Sequence, residues 1–336
     1  MVFWNVFFIW MEKGMQWIAG HTSSSWVLGQ PDITFLLLIM FLLGCLYEWG
    51  NHRKKRLALF LLIGGLCALV KHPLENEITI IDIGQGDSIL LRDWQGRTIL
   101  IDTGGKVEFG QTEAWRKRQS STNAERTLIP YLKSRGIDQI DHLVLTHTDA
   151  DHMGDMEVVA SSLHIKEVNV SKGSLKKATF VKRLERLKLP VKTVEVGDRF
   201  PIFDRFVEVL YPMEVGDGSN NDSLVLYGYL QGVSFLFTGD LEEPGEQILI
   251  ARYPQLPVDV LKAGHHGSKG SSHPAFLDHI HAKIALVSAG EKNRYQHPHQ
   301  ETLERFKELG MTVFRTDQQG AIRFRGWQKW MIETVR

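Results

Sequence analysis

The 336-residue chain is poor in several features that commonly announce a function. It has two cysteines, Cys45 and Cys67, and both lie in apolar runs. Residues 75–336 therefore hold none, which excludes a disulfide framework or a cysteine zinc site there. Charge of one sign is not in excess: 39 Lys and Arg balance 39 Asp and Glu. The total argues neither for nor against a nucleic-acid partner. No repeat of fixed short period is visible, and no leader fits the start. "MVFWNVFFIWMEKG" lacks a basic beginning, and no small-residue cleavage site follows the later apolar runs.

Apolar residues crowd into the first 70 positions. "ITFLLLIMFLLGCLY" (33–47) and "LALFLLIGGLCALV" (57–70) flank "EWGNHRKKR". Each run is shorter than the about 20 residues that cross a bilayer comfortably. Both are uncharged, and Trp49 and a basic cluster stand at one end. This predicts a membrane helical hairpin, with helices near 33–49 and 57–71, in a membrane region spanning 1–74. The alternative is a buried hairpin in a soluble protein. Arg53, Lys54, Lys55 and Arg56 would hold the turn in the cytoplasm and send the following domain outside it. The opening "MVFWNVFFIW" and "MQWIAGHTSSSWVLG" add one more interfacial or partial membrane element. The chain reads as an incomplete piece of a larger multi-pass membrane protein.

From residue 75 the pattern changes to short strands. "EITIIDIG" (77–84), "SILLRDW" (88–94) and "RTILIDTG" (97–104) are joined by turn residues. "DQIDHLVLTH", "DRFVEVLYP", "SLVLYGYLQGVSFLFTGD", "PVDVLKAGHHG" and "KIALVSAG" follow. Helices fall between them, such as 300–310 with Gly310 as terminator. The mixture predicts an α/β domain over 75–336, with sheets packed between helical layers.

Ligand-type side chains recur at the carboxyl ends of these strands. His147, Asp149, Asp151 and His152 follow "LVLT", Asp240 follows "FLFTG", and His265 and His266 follow "VLKAG". His297 and His299 come soon after "IALVSAG", and Asp102 ends "TILID". Alone, Asp102 or Asp240 would be a turn former. Lone histidines such as His21, His52, His72, His142 and His164 read as ordinary satisfied residues. The cluster at 147–152 differs, because four such side chains so close together repel one another without a cation.

Seven segments carry a resemblance: "DIGQGDSILL" (82–91), "ILIDTGG" (99–105), "LVLTHTDADHMGD" (143–155), "NNDSLVL" (220–226), "FLFTGD" (235–240), "LKAGHHGS" (261–268) and "NRYQHPH" (293–299). In these the chain resembles the metallo-β-lactamase superfamily, and within it the ComEC branch of bacterial DNA-uptake (competence) proteins. The resemblance covers essentially all of 77–336. It implies an αββα sandwich with metals at one edge and a nuclease acting on the strand that is not imported. Two departures stand out. The membrane portion is far shorter than a DNA channel, with no oligonucleotide-binding domain. Where a middle histidine ligand is expected, only Asn220, Asn221, Asp222 and Ser223 occur.

The resemblance also implies roles. Two divalent ions about 3.5–4 Å apart would clamp an in-line phosphoryl displacement. His147 and Asp149 would serve one ion, Asp151 and His152 the other, with Asp240 bridging and His265 or His266 completing the shell. Asp151 is also the expected catalytic residue. Asp102, Asn220 and Ser223 would support the ligands from behind. His297 or His299 would protonate the leaving oxygen or contact the phosphate. The carboxylate of Asp149 shifts the expected preference toward Mn²⁺, with Zn²⁺ and Mg²⁺ as alternatives.

The segment 172–192 holds eight basic residues and one acidic one, Glu185. Phe180, Leu184 and Leu187 share a helical face, leaving Lys176, Lys177, Lys182 and Arg183 to meet a phosphate backbone. "WRKRQ" (115–119) is similar. No base-reading motif accompanies them, so binding of single-stranded DNA would be sequence-independent and salt-sensitive. The leading expectation is a membrane-tethered nuclease acting outside the cytoplasm with other competence proteins. The alternatives are a phosphodiesterase for a small or cell-surface phosphoester, and a non-catalytic DNA-binding competence scaffold.

Overall fold

The computed structural model describes residues 13, 27, 29–31, 33–48, 52–71, 75–105 and 121–336. Trp49, the opening "MVFWNVFFIW" segment and "WRKRQ" fall outside the described residues. The chain forms two compact units, Met1–Lys71 with Lys133–Ile137, and His72–Leu132 with Asp138–Arg336.

The first unit carries two helices, Ile33–Glu48 and Arg53–Lys71, in contact with each other. Large apolar side chains remain exposed along both, among them Leu37, Phe41, Phe60 and Leu61. The expectation of two membrane-spanning helices is not supported. Among the described residues no helix is long and apolar enough to cross a membrane. The first helix has 16 residues, a rise of about 24 Å against a hydrocarbon core of about 30 Å. The second has 19 residues, but Arg53, Lys54, Lys55 and Arg56 form its first turn.

The second unit is built on two sheets. In chain order the strands of the first are β1 (Asn76–Ile80), β2 (Ile89–Arg92), β3 (Thr98–Ile101), β4 (Gln139–Leu145), β5 (His164–Ser171) and β6 (Val191–Val194). Those of the second are β7 (Arg199–Ile202), β8 (Arg205–Tyr211), β9 (Val225–Leu230), β10 (Val233–Phe237), β11 (Val260–Lys262), β12 (Ile284–Val287) and β13 (Thr312–Arg315). The chain then returns to the first sheet as β14 (Ile322–Gly326) and β15 (Met331–Thr334). The first sheet is ordered β15-β14-β1-β2-β3-β4-β5-β6 and the second β13-β12-β11-β10-β9-β8-β7.

Alternate side chains explain the layering. Ile78, Ile80, Ile89, Leu91, Ile99, Ile101 and Val144 of the first sheet join Val207, Leu226, Phe235 and Phe237 of the second in one core cluster. The intervening Leu90, Leu100, Leu143 and Leu145 are also buried. Both faces are therefore covered, and the strands read as continuous apolar runs rather than alternating ones. On the far side of the second sheet, Leu249, Phe276, Leu277 and Phe306 bring helices against Leu236, Leu261, Ala285 and Val287. Helices Met156–Ser162 and Ala178–Leu187 bury Met156, Val159, Phe180 and Leu184. The expected α/β sandwich is what forms.

Strands β3 to β6 run parallel, as do β10 to β13. The loops after β3, β4, β10, β11 and β12 thus leave from carboxyl ends of parallel strands, where ligand sites of α/β sheets gather. Strand β2 is antiparallel to β3, pairing Ile89 with Ile101. That pairing brings the β1–β2 turn, residues 81–88, to the same rim.

Candidate metal centre

His147 and His152 flank the turn that leaves β4, both with side chains at 0% exposure. Asp102, in left-handed backbone (φ 59) just past β3, fixes this turn. Its Oδ1 accepts from the Thr146 amide at 2.8 Å, and its Oδ2 accepts from the Thr146 hydroxyl at 2.7 Å. The same Oδ2 lies 2.8 Å from His152 Nδ1. A carboxylate on one imidazole nitrogen keeps the proton there and aims the other lone pair outward. His152 Nε2 faces Asp240 Oδ1 at 3.0 Å. Ser223 Oγ, 3.3 Å from His147 Nδ1, supports the second imidazole.

Asp240 stands at the centre. Its Oδ2 lies 3.9 Å from His147 Nε2, 3.8 Å from His265 Nε2 and 3.6 Å from His266 Nε2. The choice between the paired histidines is made by backbone: His265 and His266 are both left-handed (φ 45 and 54). His266 turns inward, with Nδ1 3.1 Å from the Ser288 carbonyl oxygen and Nε2 3.3 Å from Asp151 Oδ2. His265 stays at the rim, with Nδ1 2.9 Å from Glu242 Oε1 and the Asn220 amide nitrogen 3.4 Å away.

Asp149 stands at the open side of the centre, 48% exposed and 3.9 Å from Lys177 Nζ, and its charge acts on His147. It occupies the extended N-cap position of the short helix Ala150–Met153, whereas Asp151 and His152 lie in that helix. The structure also supplies Asp87, from the β1–β2 turn, which the sequence motifs did not single out. One ligand atom from each of Asp87, His152, Asp240 and His266 falls within 4.8 Å of the others. The available signal was the "GQGD" turn, quoted for its resemblance but assigned no role.

His297 lies behind the paired histidines, its ring 5.2 Å from that of His265 and 6.1 Å from that of His266. His299 is 4.8 Å from His297 and accepts the Lys269 amide on Nδ1. Lys176 donates to the Val215 carbonyl, and Lys182 is exposed. Arg183 is a correction. Its guanidinium is committed to Glu157, to the Gly154 carbonyl and to Met153 Sδ, so it clamps the segment after the histidine turn rather than facing a substrate.

Burial works to raise the pKa of Asp240, but His152 and His266 hold it well below the carboxylate range. Burial opposes protonation of His266, yet Asp240 and Asp87 lift it to about 9. Burial likewise works against His152, which Asp240 and Asp102 raise well above its ordinary value. Burial and the positive charge of His152 depress His147 to about 4. Burial, with His266, His265 and His299, lowers His297 to about 4. The carboxylates thus draw compensating positive charge into a dry pocket, and a divalent cation supplies the same charge while releasing protons.

The donor set fits such a cation. His147 Nε2, His152 Nε2, His266 Nε2 and Asp240 Oδ1 are buried without a hydrogen-bond partner. Buried polar atoms are rarely left so unless something else binds them. Imidazole nitrogens with carboxylate oxygens suit a divalent transition metal.

A two-sheet α/β sandwich with a buried His/Asp centre at the strand ends defines a metallo-β-lactamase fold. Residues 81–291 match the metallo-β-lactamase superfamily, and the chain belongs to it. The chain is similar to ComE operon protein 3 of Bacillus subtilis (strain 168), 36% identical over 345 residues, covering 96% of this chain and 44% of that protein. It is also similar to Competence protein ComA of Neisseria gonorrhoeae, 32% identical over 254 residues, covering 74% of this chain and 32% of that protein. Recombination protein 2 of Haemophilus influenzae is 28% identical over 253 residues, covering 75% and 29%. The resemblance to ComEC-type proteins is thus shown by homologues with competence names. The chain spans less than half the length of these curated relatives.

Proposed function

We propose that the second unit is a metal-dependent nuclease domain that hydrolyses phosphodiester bonds of single-stranded DNA during uptake, outside the cytoplasm. The observation that carries this is the set of buried, unpartnered nitrogens and oxygens facing Asp240. The competence names of the homologues support the context.

In this reading His147, Asp149, Asp151, His152, Asp240 and His266 would hold two divalent ions, with His265 at the rim. Mn²⁺ is favoured by the carboxylate share of the donor set, and Zn²⁺ and Mg²⁺ are alternatives. The ions would supply Lewis acidity and an activated water. The chain's own residues do the rest. Asp102 orients His152, and Ser223 orients His147. His297, whose ring lies 5.2 Å from that of His265, would protonate the leaving oxygen or contact a phosphate oxygen. His299 lies further out. Lys176, Lys177 and Lys182 attract the phosphate backbone without reading bases.

The exposed apolar faces of the helices Ile33–Glu48 and Arg53–Lys71 support attachment of the first unit to a membrane, or to the membrane part of a longer protein. Arg53 to Arg56 would lie against anionic lipid headgroups. Other competence proteins are the expected partners.

The test is incubation of the full chain with single-stranded DNA, with and without added Mn²⁺. Metal-dependent degradation lost in Asp151→Ala is the expected result. Cleavage of a phosphocholine ester but not of DNA would replace the substrate. DNA binding with neither metal uptake nor hydrolysis would leave a scaffold. Protection from external protease in intact cells would reverse the orientation.

A further inference from the structure

We propose that Asp87 is a carboxylate ligand of the metal centre, held in place by the buried Lys262. This rests on the metal-centre reading above and adds to it a residue from another turn on the same rim.

The β1–β2 turn is pressed against the histidine turn. Asp87 N donates to the Asp151 carbonyl oxygen at 3.2 Å. A Cβ on Gly86, which has φ +123, would lie 2.2 Å from that same oxygen. Only glycine lets the backbone come so near, and this approach carries the next side chain into the centre.

That side chain is fully buried. Asp87 Oδ2 accepts from Lys262 Nζ at 2.6 Å, with side-chain exposures of 2% and 0%. Lys262 also donates to the Ala263 carbonyl oxygen. A simple structural ion pair would be the plain account, but it leaves one atom unexplained. Asp87 Oδ1 is buried and has no hydrogen-bond partner. It lies 3.4 Å from His266 Nδ1, whose nearer neighbour is the Ser288 carbonyl oxygen at 3.1 Å. Two neighbouring turns thus aim a free carboxylate oxygen into a pocket of free imidazole nitrogens. A hydrocarbon pair would have filled this space at less desolvation cost. A cation is what the oxygen lacks.

The experiment measures Mn²⁺ binding by the full chain, with folding followed by circular dichroism and coordination by the visible bands of the Co²⁺ form. Asp87→Asn should bind Mn²⁺ at least about tenfold more weakly and shift the Co²⁺ bands. Because Asp87→Asn strands Lys262, a second variant combines Asp87→Leu with Lys262→Met, removing the charge pair together. It should fold and show the same loss. If wild type binds Mn²⁺ and the double variant folds and binds it equally well with unchanged Co²⁺ bands, the inference is overturned and the metal centre stands. If wild type binds neither ion, the metal reading falls and this inference falls with it.

Discussion

Strand β4 has histidines and aspartates at both ends, and the two ends behave oppositely. At its amino end Asp141 takes Lys166 at 2.6 Å and the Thr98 amide at 2.8 Å, while His142 Nδ1 meets Glu167 at 2.8 Å. Arg97 nearby is shared between Asp93 and Asp204. These groups are matched by opposite charge. At the carboxyl end His147 and His152 lie among Asp102, Asp151 and Asp240, buried, with Nε2 atoms that have no hydrogen-bond partner. The same residue types are a solvated ion-pair lattice at one end and a ligand site at the other. A cluster of unpartnered buried nitrogens and oxygens facing one another, rather than composition, marks the site.

The largest effect expected is at the carboxyl end. Asp240→Ala removes the carboxylate that, among the described residues, pairs with His147, His152, His265 and His266 alike. Mn²⁺ affinity measured by calorimetry should fall by more than about a hundredfold, and DNA hydrolysis with it. Retained binding would break the distinction between the two ends.

Glu246 is an intermediate case, buried but answered by backbone. It accepts from the Ser272 amide at 2.6 Å and the His273 amide at 2.9 Å. Burial raises its pKa to about 7, against those amides and Arg305, with Glu243 adding to the rise. A raised folded pKa gives stability that is full below about pH 4.5 and is lost as pH rises through about 7. Urea unfolding of wild type against Glu246→Gln should therefore show a difference that changes between pH 5 and pH 8 by roughly 2–3 kcal/mol. A constant difference would contradict the assignment.

A smaller change is expected from Lys177→Ala and Lys182→Ala, which leave the centre intact. DNA binding should weaken uniformly across sequences, and each variant should lower the slope of log K against log salt by about 0.7. A sequence-dependent loss would point to base readout instead.

The smallest is at the amino end. His142→Gln removes a partly exposed pairing, costs less than about 1 kcal/mol, and leaves hydrolysis and metal affinity unchanged. A drop in hydrolysis there would mean the two ends are coupled along the strand.

Much of this was legible beforehand for local reasons. The helices Ile33–Glu48 and Arg53–Lys71 follow from unbroken apolar runs, and strands such as "TILI" and "HLVL" from β-branched and leucine-rich segments bounded by turns. Other features were not legible. The strand β15 is short and not strongly apolar, so no pattern announced it. Arg183 read as a free cation because its partner Glu157 lies 26 residues away. Nothing local separated His265 from His266, since the difference lies in two left-handed residues and in where Ser288 and Glu242 stand.

By itself the sequence determined the chemistry on offer: imidazoles and carboxylates placed just after apolar strands, where a parallel sheet must deliver them to one rim. The tertiary structure decided which of them meet. It turned His266 inward, left His265 at the rim, and joined Asp87 to Lys262 across 175 residues. A strand fixes where a side chain emerges through local backbone geometry. The direction it finally takes depends on which distant groups share its small volume, and that is set only when both sheets are packed.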